Sequence, residues 1–222
     1  GGKVKYLRLP IFLALFIFSF IVIGPGSFSA VSEESYPGLE DFLEQVEENS
    51  AAISSFSCDF TQIRYLTIFP KPVEFSGRLS LRRPDKLRWE FINPLPSVLV
   101  LNGKKGLKCG EGGPVREVNL DTDPVMRLVA AELWAWSSGS YQDLLNDFDF
   151  ELLPGPSLVF TPSQNGSGSF IKKIKVVFDP DFLQPLSVEI SEPGGDRTEI
   201  SFSGYRRNIA LPPPLFTECI SR

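Results

Sequence analysis

A period of two recurs in segment after segment of this chain, and it limits the fold more than any other feature. Leu87, Trp89 and Phe91 alternate with Lys86, Arg88 and Glu90, and Leu186, Val188 and Ile190 alternate with Ser187, Glu189 and Ser191. Ile200 and Phe202 do the same with Glu199, Ser201 and Ser203. Successive side chains of a strand point to opposite faces, so each segment has one apolar and one wet side. Parallel strands covered on both faces would read as unbroken apolar runs instead. The pattern predicts a single curved antiparallel sheet, with strands at 59–67, 74–82, 86–92, 97–101, 106–109, 116–120, 148–153, 157–161, 171–178, 186–192 and 198–205. Pro or Gly stands in the connections, and Pro193-Gly194-Gly195-Asp196 reads as a hairpin turn.

Two segments carry a helical period instead. Over 36–56, Leu39, Phe42, Leu43, Val46 and Ile53 share a face opposite Glu40, Asp41, Glu44, Glu47 and Glu48. A second helix is expected from Asp123 as N-cap with Pro124 at the first helical position, its stripe formed by Val125, Leu128, Val129, Leu133 and Trp136. A third short helix is expected over 141–145. The fold class is therefore mainly β (α+β): about eleven strands covered by about three α-helices. Such a sheet either closes over a filled core or leaves a cavity beneath the helices.

Lys3, Lys5 and Arg8 precede an apolar run from Ile11 to Ile23, and Ser27, Ser29 and Ala30 follow. Positive, apolar, small is the order of a secretory signal peptide, and the run is shorter than the roughly 20 residues that span a bilayer. Residues 1–29 are expected to be removed, leaving 30–222 as an exported domain. That domain has 19 Lys and Arg against 27 Asp and Glu, a charge of about −8. Such an acidic protein gains nothing from releasing phosphate counterions, so nucleic acid is not an expected partner. Cys58, Cys109 and Cys219 allow one disulfide in an oxidising compartment, but their spacing names no pair. The chain has no histidine, which removes the usual Ser-His and Cys-His arrangements and the commonest metal ligand. No cofactor, metal site or catalytic residue is expected.

The stretch Phe75 to Gly103, FSGRLSLRRPDKLRWEFINPLPSVLVLNG, resembles the LolA family of periplasmic lipoprotein carriers. Its marks are a Gly-containing strand, Arg-Pro, an aromatic-rich strand, a Pro, a short apolar strand and an Asn-Gly turn. Phe56 to Gln62 (FSCDFTQ) and Leu186 to Phe216 (LSVEISEPGGDRTEISFSGYRRNIALPPPLF) are similar to the family's opening and closing segments. The resemblance implies an open, incomplete β-barrel with a helical lid, a monomer that binds the acyl chains of lipoproteins. It also implies an inner-membrane ABC-type release complex as donor and an outer-membrane receptor as acceptor. A LolA-like sensor of lipids or lipoproteins, or a carrier of another acylated cargo, is the alternative. Leu87 stands where the family has an aromatic residue, and Leu107-Lys108-Cys109-Gly110 where aromatic residues follow the turn.

Arg83 falls, in strict alternation, on the apolar face of Leu79 and Leu81. Either the strand ends by Pro84 and Arg83 is solvated, or it sits at a rim bonding backbone carbonyls or the polar junction of a lipid anchor. The resemblance, in which the family arginine maps onto Arg83, favours the second. The expected cavity wall is Leu79, Leu81, Leu87, Trp89, Phe91, Val98 and Val100, with Leu128, Leu133 and Trp136 from the helix.

Overall fold

The computed structural model describes residues 38–110, 112–123, 126, 127, 130, 131, 133–135, 139, 141–145, 147–163 and 171–219. Eleven strands form one antiparallel sheet. They are β1 (Ser55–Tyr65), β2 (Val73–Arg82), β3 (Lys86–Asn93), β4 (Ser97–Asn102), β5 (Lys105–Gly110) and β6 (Arg116–Asn119) on one side of the chain, then β7 (Phe148–Leu153), β8 (Ser157–Pro162), β9 (Lys173–Phe178), β10 (Pro185–Ser191) and β11 (Arg197–Arg207). Their spatial order is β6-β5-β4-β3-β2-β1-β11-β10-β9-β8-β7, so first and last strands pair at the centre and β6 and β7 are the edges.

Cross-strand pairing sorts the side chains into rows. One row runs Phe56, Leu81, Leu87, Leu101, Gly106, Val118, and the next runs Cys58, Leu79, Trp89, Leu99, Lys108, Arg116. Across the centre, Gln62, Ile200, Val188, Val176, Leu158 and Leu152 continue the same face. This inner face is apolar along most of its length. Gly77 sits in it because a Cβ there would strike the Glu90 carbonyl and the Phe60 ring. Gly204, with φ of 64°, occupies the irregular step where β11 has an extra residue against β1. That bulge shifts the phase and turns Tyr205 and Arg207 onto the inner face, which an unbroken alternation would not do.

The first helix, α1 (Leu39–Ala51), buries Leu43 and Val46 and carries Glu40 and Asp41 in its first turn. It stops short of Phe56, because Ser55 and Phe56 pair with Arg82 and Leu81 in the sheet. Helical backbone recurs at the described residues within 126–135. Its cap is the one expected: the Asp123 carboxylate accepts the Met126 N–H at 2.9 Å. The expected third helix is corrected: Tyr141–Leu144 is a single 3-10 turn. Leu128 and Trp136 lie outside the described residues. No helix among the described residues is long and apolar enough to cross a membrane.

The outer face is not uniformly wet. Residues 208–219 cross it as a strap, with a 3-10 turn at Pro213–Phe216 packed on β3 and β4. Phe216 is buried against Val98 and Val100, and Cys219 is bonded to Cys109 of β5. Arg88, expected on a solvated face, is buried beneath the strap. Cys58 remains the free thiol.

Candidate functional site

The inner face meets α1 in a pocket at the end of the sheet where β2 turns into β3. Leu79, Leu81, Trp89, Phe202 and Phe56 supply the sheet side, and Val46, Ser50 and Ile53 the α1 side. Leu133 and Tyr141 close it from the second helical region, while Phe182, Gln184 and Pro185 border it beside Arg207. Edge-to-face contacts of Phe42 and Tyr141 with Phe178 help seat these elements on β9. Burial pushes the Tyr141 hydroxyl's pKa strongly upward, so it stays a neutral phenol. The enclosed space is about 30 Å³, enough for about two water molecules and far too small for an acyl chain. Residues of α1 and the described part of the second helical region line the space over this part of the inner face.

Arg83 holds that arrangement. Its Nε donates to the Ile53 carbonyl at 3.0 Å and its Nη2 to the Ser50 carbonyl at 3.1 Å. These are carbonyls at and just past the C-terminal end of α1, where intrahelical donors run out, and that of Ser50 also accepts the Ile53 N–H at 3.0 Å. Burial pulls the guanidinium's pKa down, and Glu47 of α1 opposes that shift. Arg83 therefore ties the sheet to the helix across the pocket mouth by bonds to backbone carbonyls.

Arg83 and the expected wall residues that the structure describes fall into three groups. Leu79, Leu81, Arg83, Trp89 and Leu133 border the pocket. Leu87 and Phe91 share the inner face but lie away from the closed cavity. Val98 and Val100 are corrected: they occupy the opposite face, under Phe216, and the inner positions of β4 belong to Leu99 and Leu101. The sequence reading missed Tyr205 and Arg207, for which only the Gly204 bulge gives a signal. Tyr205 donates to the Pro185 carbonyl at 2.7 Å, tying the loop before β10 to the mouth.

Cys58 sits in the row of Leu79 and Trp89 and is 1% exposed. Burial pushes its thiol up to about 12, against a hydrogen bond with Tyr205 that lowers it. At pH 8 only about one thiol in ten thousand is then ionised. Ellman's reagent should find no reactive thiol in the native protein and a single one in denaturant. A fast native reaction would show that the pocket opens readily without cargo.

Residues 51–219 match the family described as outer membrane lipoprotein carrier protein LolA. The chain belongs to the LolA family. Among its relatives, an outer-membrane lipoprotein carrier protein of Dechloromonas aromatica is 27% identical over 188 residues, covering 82% of this chain and 84% of that one. One from Xanthomonas oryzae pv. oryzae is 30% identical over 148 residues, 64% of this chain and 66% of its own. Among solved structures, that of MucB has a TM-score of 0.52 at 15% identity, covering 83% of this chain and 64% of MucB. At that identity the likeness is one of fold. An open antiparallel sheet with few helices is the fold of this LolA family chain.

Proposed function

We propose that this LolA family protein is a periplasmic carrier that holds the acyl chains of lipoproteins against the inner face of its sheet and takes them from the inner to the outer membrane. The observation that carries the reading is the apolar inner face capped by α1, with Arg83 tying sheet to helix. In this reading residues 1–29 are an export signal and 30–222 the carrier domain. The donor is an ABC-type complex of the inner membrane, the acceptor an outer-membrane receptor, and the carrier works as a monomer without a cofactor.

Burying one CH₂ contributes about 0.8 kcal/mol, so a sixteen-carbon chain gains on the order of 10 kcal/mol before the cost of ordering it. Capture is easy and release is hard. A site filled by its own helices when empty lowers apparent affinity by the fraction of time it stands open, which eases unloading. Purification from the periplasm, native mass spectrometry and organic extraction test this. An acylated polypeptide recovered near one per protein supports the carrier; a protein that is empty and refuses lipopeptides overturns it.

A further inference from the structure

The carboxylates of the described strands all lie on one face of this sheet, whereas its cations stand on both. In β1 to β3 the carboxylates Asp59, Glu74 and Glu90 pair across strands with outward residues Arg78, Ile63 and Val98. In the later strands Glu117, Asp149, Glu151, Glu189 and Glu199 likewise alternate with inward Val118, Phe150, Leu152, Val188 and Ile200. No carboxylate of the described strands faces inward. The inward charges are all cations: Arg64 opposite Thr198, Lys108 opposite Leu99, Arg116 opposite Lys108, and Arg207 opposite Phe56. Arg83 adds a further one at the mouth. The outer face thus carries carboxylates and cations together, and the inner face cations alone.

The carboxylates that do approach these cations belong to other elements. Glu47 of α1 acts on Arg83, Asp123 at the start of the second helix on Lys108, and Glu192 of the β10–β11 turn on Arg64. Glu47 and Asp123 stand on the covering elements, which an acyl chain must displace to enter. Arg64 Nε and Thr198 Oγ1, facing one another in the ladder, are buried without a hydrogen-bond partner among the described residues. At the mouth, Arg207 is held by an uncharged partner, Gln184, whose amide oxygen accepts from both Nε and Nη2. Its guanidinium lies 4.1 Å over the Phe182 ring. No carboxylate among the described residues forms an ion pair with it.

We infer that this face also takes an acyl chain bearing an anionic head group, a carboxylate or a phosphate, seated at the mouth between Arg83 and Arg207. This rests on the acyl-binding reading and goes beyond its lipoprotein cargo, whose ester- and amide-linked chains bear no such head. A fixed array of donors in a poorly hydrated cleft favours the charged head over a neutral one of equal chain length.

The test uses three twelve-carbon probes at pH 8: dodecanoate, dodecyl phosphate and the uncharged methyl dodecanoate, each titrated against a bound fluorescent fatty acid. The expected result is at least a tenfold preference for one or both anions over the ester, since hydrogen bonds to charged groups exceed neutral ones by about that factor. Which anion leads separates a free fatty acid from a phospholipid-like source. The preference should fall below threefold in Arg207→Gln and survive in Arg207→Lys, with melting curves showing that both variants fold. Equal binding of anion and ester overturns the inference and leaves the acyl carrier standing. If none of the probes displaces the reporter, this inference falls, while the carrier reading stands or falls on the uptake of lipopeptides.

Discussion

Replacing Arg83 with leucine should tighten the binding of an uncharged fluorescent fatty-acid ester by roughly thirtyfold, mostly by speeding its entry. The two hydrogen bonds from Arg83 to Ile53 and Ser50 exist while α1 lies on the sheet. Charged donors of this kind contribute about 1.5–3 kcal/mol each when buried. Arg83 is only partly buried, so about 2 kcal/mol for the pair is the appropriate size. That energy favours the closed state alone, in which the cavity is about 30 Å³ and cannot hold a chain. Removing it raises the fraction of open protein, and apparent affinity rises by the same factor. Delivery to an acceptor should slow in proportion, because a carrier that no longer refills its own site loses the means of release. An unchanged dissociation constant would show that other contacts hold α1 closed.

Much of this arrangement can be read from the residues, and the part that cannot has a physical cause. Alternation in β3, β10 and β11 gives their inner faces because the opposite side meets water or polar neighbours. It fails in β4, where Val98, Leu99, Val100 and Leu101 are all buried and no phase is visible. The run Ser-Val-Leu-Val-Leu is itself the signal of a strand covered on both sides. What covers it is the strap with Leu211, Leu215 and Phe216, more than a hundred residues away in the chain. Phase is lost again at Gly204, where one positive φ and one extra residue turn Tyr205 and Arg207 inward. The third helical stretch shortens to a 3-10 turn for a simpler reason. Tyr141–Leu144 is one short turn following Gly139, whose φ of 76° breaks the backbone before it.

The strap also sets the largest loss of stability expected here, about 3–5 kcal/mol for Arg88→Met measured by urea unfolding. Arg88 is 1% exposed, yet every side of its guanidinium is engaged. Nη1 donates to the carbonyls of Leu215 at 3.3 Å and Glu218 at 2.8 Å, and Nη2 to that of Cys219 at 3.2 Å. Nε and Nη2 grip the two oxygens of Glu90 at 3.0 and 2.9 Å. Methionine fills the volume but leaves three carbonyls without their donor and the Glu90 carboxylate without its cation. Lysine should rescue little, because a single ammonium cannot serve a carboxylate and three carbonyls arranged around a planar fork. Adding Glu90→Gln to Arg88→Met should return part of the loss, as it removes the charge that Arg88 had balanced. The Cys109–Cys219 bond keeps the strap's end near β5 in every variant, so the deficit reports the arginine and not detachment of the tail. Ligand affinity should change less than twofold in protein that remains folded, since Arg88 and the acyl-binding face lie on opposite sides of β3. A stability loss under 1 kcal/mol would mean that water takes over the carbonyls. A large change in affinity would mean instead that the strap and the cavity are coupled through the sheet.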